Sequence, residues 1–183
     1  MRKHILTVIL ISASVISFAQ KNETPTPPDL PIDERTNLVT YQDVVKQEGT
    51  PAVLYERAMN WVKKYYKNTA EVIKSADPQK AVIEMRSSVR IFYKQKDGTL
   101  RYKNVVYYNF KLECRDNRYR YTITNFNEKA AGPAPIENWF NTSLSGWTPS
   151  QYDYLTQIDE QMKELIESLE DGMLPPEVFT DEW

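Results

Sequence analysis

The sequence predicts an α+β domain, an antiparallel sheet with two amphipathic helices packed on one of its faces. Two turn dipeptides, Asp97-Gly98 and Asp116-Asn117, divide the middle of the chain into runs that alternate apolar and polar residues. Stripes at helical spacing flank that block: Leu54, Ala58, Trp61, Val62 and Tyr65 before it, and Leu155, Ile158, Met162, Leu165 and Leu169 after it. With 41% hydrophobic and 26% charged residues among 183, the chain has the mix of one ordinary globular domain with short appendages.

The amino-terminal segment sets the compartment. Arg2, Lys3 and His4 precede an apolar run from Ile5 to Ile16, and Ser17-Phe18-Ala19 places small residues at −3 and −1 of a cleavage point. Residues 1–19 therefore read as a secretory signal peptide cleaved after Ala19. Its loss takes the net charge from −2 to −4 and removes the single histidine, leaving Cys114 as the lone cysteine. Such a mature chain has no Ser-His-Asp or Cys-His machinery, no imidazole or paired-thiolate zinc site and no internal disulfide. No catalytic, cofactor-binding or metal-ligating residues are expected, and no cofactor. No later stretch reaches the roughly 18 apolar residues of a spanning helix. The expected location is the periplasm or the medium of a diderm bacterium.

Residues 20–30 hold Pro25, Pro27 and Pro28 among polar neighbours and read as a linker to a single domain over 31–172. Leu38 to Val45 suggests a first strand, ended by Gly49. Thr50 and Pro51 then supply the N-cap and first position of a helix. Pairing about Asp97-Gly98 sets Ile83 opposite Leu112, Met85 opposite Phe110, Ser87 opposite Tyr108 and Val89 opposite Val106. Pairing about Asp116-Asn117 sets Leu112 opposite Tyr121, Phe110 opposite Ile123 and Cys114 opposite Tyr119. Both hairpins select one apolar face, which argues for a three-stranded meander over 81–93, 102–115 and 118–126. A one-residue bulge would spoil this register.

Residues 127–149 read as a loop insertion whose Ile136, Trp139, Phe140, Leu144 and Trp147 pack back on the domain. Thr148-Pro149 repeats the cap-then-proline start, Gly172 reads as the C′ stop of the second helix, and 173–183 is an acidic tail.

Leu30-Pro31-Ile32-Asp33, Leu54-Tyr55 with Trp61, and Lys111 to Tyr121 ending Asp116-Asn117-Arg118-Tyr119-Arg120-Tyr121 together resemble the DUF4468 family of exported Bacteroidetes proteins. The similarity covers about 30–126; Arg115 and Asn117 stand where the family usually has Lys and Gly. The resemblance implies a TBP-like fold, a curved antiparallel sheet in the order β-α-β-β-β-α with room for one extra strand and both helices on one face. It implies no established activity. The fold name does not import DNA binding, because an exported acidic chain meets no genomic DNA; nucleic acid is not an expected partner.

The open sheet face, away from the helices, is the expected functional surface. The register places Glu84 opposite Lys111 and Glu113 opposite Arg120, so much of its charge is self-paired. Lys80, Arg115 and Arg118 line up across three strands without an acid, a row that an anionic partner would relieve. Phe92, Tyr107 and Phe126 are the aromatic residues that the register offers to a ligand, with Tyr107 and Phe126 paired. The favoured reading is a non-catalytic envelope module that binds a protein or glycan through this face or through the loop carrying Trp139 and Trp147. One alternative is a carboxylate-dependent glycan hydrolase, which needs two acids converging in a cleft. Another is a structural homodimer joined sheet to sheet, which the predicted Arg86, Arg90, Lys111 and Arg120 disfavour.

Overall fold

The structure, a computed structural model, describes residues 26–176. The signal segment at 1–19, the linker up to residue 25 and the tail beyond residue 176 lie outside the described residues. The order is β1 (Tyr41–Lys46), α1 (Pro51–Tyr65), α2 (Thr69–Val72), β2 (Ile73–Asp77), β3 (Val82–Lys94), β4 (Leu100–Arg115), β5 (Arg118–Glu128), a 3-10 helix (Ile136–Phe140) and α3 (Ser150–Met173). One five-stranded antiparallel sheet runs β1-β5-β4-β3-β2. α1 packs against β4, and α3 against β3 and α1, so both long helices cover one face.

β2 is the extra strand. Its Ile-Lys-Ser-Ala-Asp sequence lacks apolar alternation because it forms an exposed edge beside β3 alone. The expected first strand begins later than Leu38, since Val39 bridges Ile32 instead of joining β1. Leu30, read as the end of the linker, is 6% exposed in the core. The Leu30-Pro31-Ile32-Asp33 motif then has a local reason. Asp33 Oδ1 accepts from the Arg35 and Thr36 amides, and this turn returns the chain so that the Thr40 amide donates to the Pro31 carbonyl.

The core pairs of the meander form as expected, including Ile83 with Leu112, Met85 with Phe110, Val89 with Val106 and Phe110 with Ile123. The turn between β3 and β4 differs from the two-residue form. The Gln95 amide donates to the Thr99 carbonyl across a three-residue loop, with Gly98 at φ +86°. A bulge that leaves Lys103 unpaired absorbs the extra residue, since Ile91 faces Asn104 but Phe92 faces Tyr102. Two one-residue departures cancel, which is why the core pairing survives.

A second bulge does alter the expected faces. Tyr107 pairs with Asn127 and Asn109 with Thr124, so Asn125 and Phe126 share the place opposite Tyr108. Asn125 takes φ +60°, a left-handed conformation that asparagine tolerates better than most residues. Phe126 is thereby turned to the core, fully buried, with its ring 6.0 Å from Tyr41 and 5.7 Å from Tyr108.

The α1 start is as expected, with Thr50 Oγ1 accepting from the Val53 amide at 3.4 Å and Pro51 in the first turn. At α3, the Thr148 side chain makes no capping bond; Pro149 is the cap residue, and Gln151 Oε1 accepts from the Thr148 amide instead. Gly172 does not stop α3, which continues to Met173. Its lack of a side chain serves packing, because a Cβ there would lie 2.4 Å from Trp61 Cδ1. Trp61 Nε1 in turn donates to Ser168 Oγ at 3.1 Å and locks the two helices in register.

Candidate functional site

Alternation along the strands puts Lys46 of β1, Arg118 and Arg120 of β5, Lys111, Glu113 and Arg115 of β4, and Glu84, Arg86 and Arg90 of β3 on the open face. The residues named are seven cations and two acids, on a chain whose formal net charge is −2. The compensating acids cluster on α3, where Asp153, Asp159, Glu160, Glu164, Glu167, Glu170 and Asp171 accompany the single cation Lys163.

Half of the open face is internally neutralised. Arg120 directs Nε at 2.9 Å and Nη2 to Glu113 Oε2, and Lys111 Nζ lies 3.3 Å from Glu113 Oε1 and 4.0 Å from Glu84. Partial burial pushes the Glu113 carboxyl up, but the Arg120 hydrogen bond and the charges of Lys111 and Arg120 outweigh it and hold it below the usual value. The stability this group lends is present above the ordinary carboxylate range and fades as pH falls through its lowered value. Arg86 is held over the Tyr107 ring, 5.1 Å from its centroid.

The other half is a corner of unneutralised cations. Arg115 and Arg118 close the β4–β5 hairpin as expected, and with Arg120, Glu113 and Val44 they line a pocket of about 150 Å³. Among the described residues, Arg115, Arg118 and Lys46 have no ion-pair partner. Asp116 and Glu48 stand at the outer rim, beside Lys46 in the adjoining groove. Lys80 does not complete this row. It lies in the turn before β3, Ala81 at φ +52° redirects the chain there, and Lys80 Nζ pairs with Asp77 at 3.0 Å. Its amide and Gln79's also donate to Asp77 Oδ1. Lys46 takes the third place instead, directly opposite Arg118. Only the pairing of β1 with β5 reveals it, and the sole signal in the sequence is a cation directly after the expected first strand.

The expected aromatic trio is not brought together. Phe126 is buried by the bulge, the face of Tyr107 is taken by Arg86, and Phe92 packs edge-on to Tyr102 at 6.3 Å while Gln157 bonds its backbone. The loop after β5 packs back as expected. Trp139 is 6% exposed against Tyr154, its carbonyl accepts from Trp147 Nε1 at 2.7 Å, and Glu137 Oε1 accepts from the Val39 amide. This segment covers the end of the sheet and leaves Trp139 no free face.

Cys114 points into the core beside Tyr119, and burial pushes its thiol up to about 11. The fold keeps the protonated form, so the stability tied to it is full below the free thiol's value and is lost as pH rises through about 11. At pH near 8 iodoacetamide should leave folded Cys114 unmodified over a period that alkylates it fully in urea; equal rates would place it at the surface.

A five-stranded antiparallel sheet backed by two helices, with its other face charged and open, defines the class of TBP-like α+β domains. Residues 41–129 match the family described as "Domain of unknown function (DUF4468) with TBP-like fold". Over those residues the chain is similar to that family. A TBP-like protein from Parabacteroides distasonis superposes with a TM-score of 0.63 at 17% identity, covering 78% of this chain and 96% of that one. A DUF4468 family protein from Bacteroides ovatus gives 0.61 at 14% identity, covering 80% and 91%. Both likenesses concern the fold alone. A search of curated proteins finds no match to the sequence. Among the described residues no helix is long and apolar enough to cross a membrane.

Proposed function

We propose that this chain is an exported, non-catalytic binding module that holds an anionic partner of the cell envelope on the open sheet face. The observation that carries the reading is the corner of Lys46, Arg118 and Arg115, three neighbouring cations without acid partners across three strands. At about 5 Å strand spacing they repel one another, and carboxylate or phosphate oxygens bridging them turn that repulsion into charge-assisted hydrogen bonds. Export follows from the charged start, apolar run and Ser17-Phe18-Ala19 of the amino-terminal segment, and the compartment would be the periplasm or the medium. The Bacteroidetes origin of the two structural relatives agrees with that setting.

Crosslinking in the native host followed by mass spectrometry identifies the partner. The variant Lys46→Ala/Arg115→Ala/Arg118→Ala should then lose roughly tenfold or more in affinity at about 50 mM salt, and less at high salt. The control Lys63→Ala/Lys64→Ala/Lys67→Ala removes the same charge from α1 and the residues after it, and should change affinity little. Equal losses in both variants would reduce the corner to a hydrated hairpin end.

A further inference from the structure

A concavity of about 770 Å³ lies away from the sheet face, between α1 and α3. Its apolar element is Tyr65, stacked on Trp61 at 5.1 Å and 28° and braced edge-on by Tyr66 at 4.9 Å. Trp61 is itself clamped by Ser168 and by Phe110 at 5.9 Å. The Tyr65 ring is therefore packed against two aromatic neighbours, yet it remains 42% exposed. A rigid aromatic side chain kept in water at a helix end is a platform whose ordering cost is already met before a ligand arrives.

Polar groups surround that platform. Asn60 and Lys64 line one wall, and Glu164, Glu167 and Asp171 the other. Among the described residues none of these five side chains makes a hydrogen bond or ion pair, although Lys64 stands among three carboxylates. The Glu164 carboxylate adds, after burial and Tyr108, to the upward push on the Tyr65 hydroxyl that disfavours its ionisation. Gly172 closes the end of the groove, packed directly against Trp61.

We propose that the α1–α3 groove is a second binding site, for a glycan whose pyranose ring stacks on Tyr65 and whose hydroxyl or amino groups donate to Glu164, Glu167 and Asp171. A pyranose presents one apolar C–H face and a rim of donors, which matches an aromatic platform edged by unpaired acceptors. The volume falls within the range of small-ligand sites. The three acids against one lysine select neutral or amino sugars and repel uronic, sulfated or phosphorylated ones. The site is thus opposite in charge preference to the sheet corner and stands independently of it.

Calorimetric titration of the full mature chain with three trimers tests the assignment: glucosamine, N-acetylglucosamine and galacturonate. At least one of the first two should bind at concentrations up to about 10 mM, and trigalacturonate should not. Tyr65→Ala should weaken the binding trimer about tenfold or more, Tyr65→Phe by less than about threefold, and Lys46→Ala/Arg115→Ala/Arg118→Ala should leave it unchanged. Tyr65 is half-exposed at the last position of α1, and an unchanged thermal midpoint in Tyr65→Phe controls for folding. Absence of binding by both uncharged and amino trimers, preference for trigalacturonate, or indifference to Tyr65→Ala would each overturn the proposal.

Discussion

Phe126→Ala should cost about 3 to 5 kcal/mol of stability, as much as Phe110→Ala at the centre of the core. Phe126 is fully buried between Tyr41 and Tyr108, and Phe110 is 1% exposed against Trp61. Truncating either ring removes its transfer free energy and leaves a cavity that the surrounding tyrosines and strands fill only in part. Urea titration of both variants with an unchanged slope provides the measurement. The neighbouring open-face variant Lys111→Ala should cost under about 1 kcal/mol, since its ion pairs are half-exposed. A loss at Phe126 as small as that at Lys111 would mean that β5 runs without its bulge and Phe126 faces water.

Gly172→Ala should destabilise by about 1 to 2 kcal/mol even though alanine is the better helix former by about 1 kcal/mol. The new methyl would stand 2.4 Å from Trp61 Cδ1, 2.9 Å from Cγ and 3.0 Å from Cβ. Trp61 cannot retreat, because Ser168 holds its indole N–H and Tyr66 and Phe110 flank the ring. The clash therefore outweighs the gain in propensity. A double-mutant cycle separates this from an end-of-helix effect. In a Trp61→Leu background the added cost of Gly172→Ala should largely vanish, whereas a glycine needed for the backbone alone would give additive losses.

These two positions mark where reading the chain in order stops being sufficient. The meander, its face and the start of α1 were legible because each rests on neighbours in sequence: alternation along a strand, a Gly or Asn at a turn, a threonine before a proline. Helical spacing likewise identified Leu54, Ala58, Trp61 and Val62, all buried, and the five apolar residues of α3, whereas Tyr65, the last residue of the first stripe, stays 42% exposed at the end of α1. The corner was half legible. Arg115 and Arg118 follow from the hairpin that joins them, but Lys46 enters only because β1 pairs with β5 across the sheet, and Lys80 leaves only because Ala81 turns the chain. Nothing local distinguishes those outcomes, since strand order and edge placement are chosen by how the whole sheet covers its helices.

The same holds for the bulge at Asn125 and for Gly172. An asparagine permits a left-handed residue without demanding one, and Phe126 is drawn inward because a phenylalanine ring between Tyr41 and Tyr108 is worth more than an unbroken ladder. A glycine late in a helix reads equally as a stop or as a close approach. The choice falls to Trp61, 111 residues earlier in the chain, whose ring occupies the space a side chain at 172 would need. Alternation, turns and caps are short-range properties carried by adjacent residues, whereas the face of Phe126, the third cation of the corner and the place of Gly172 are settled by contacts between distant segments that exist only once the chain has closed on itself.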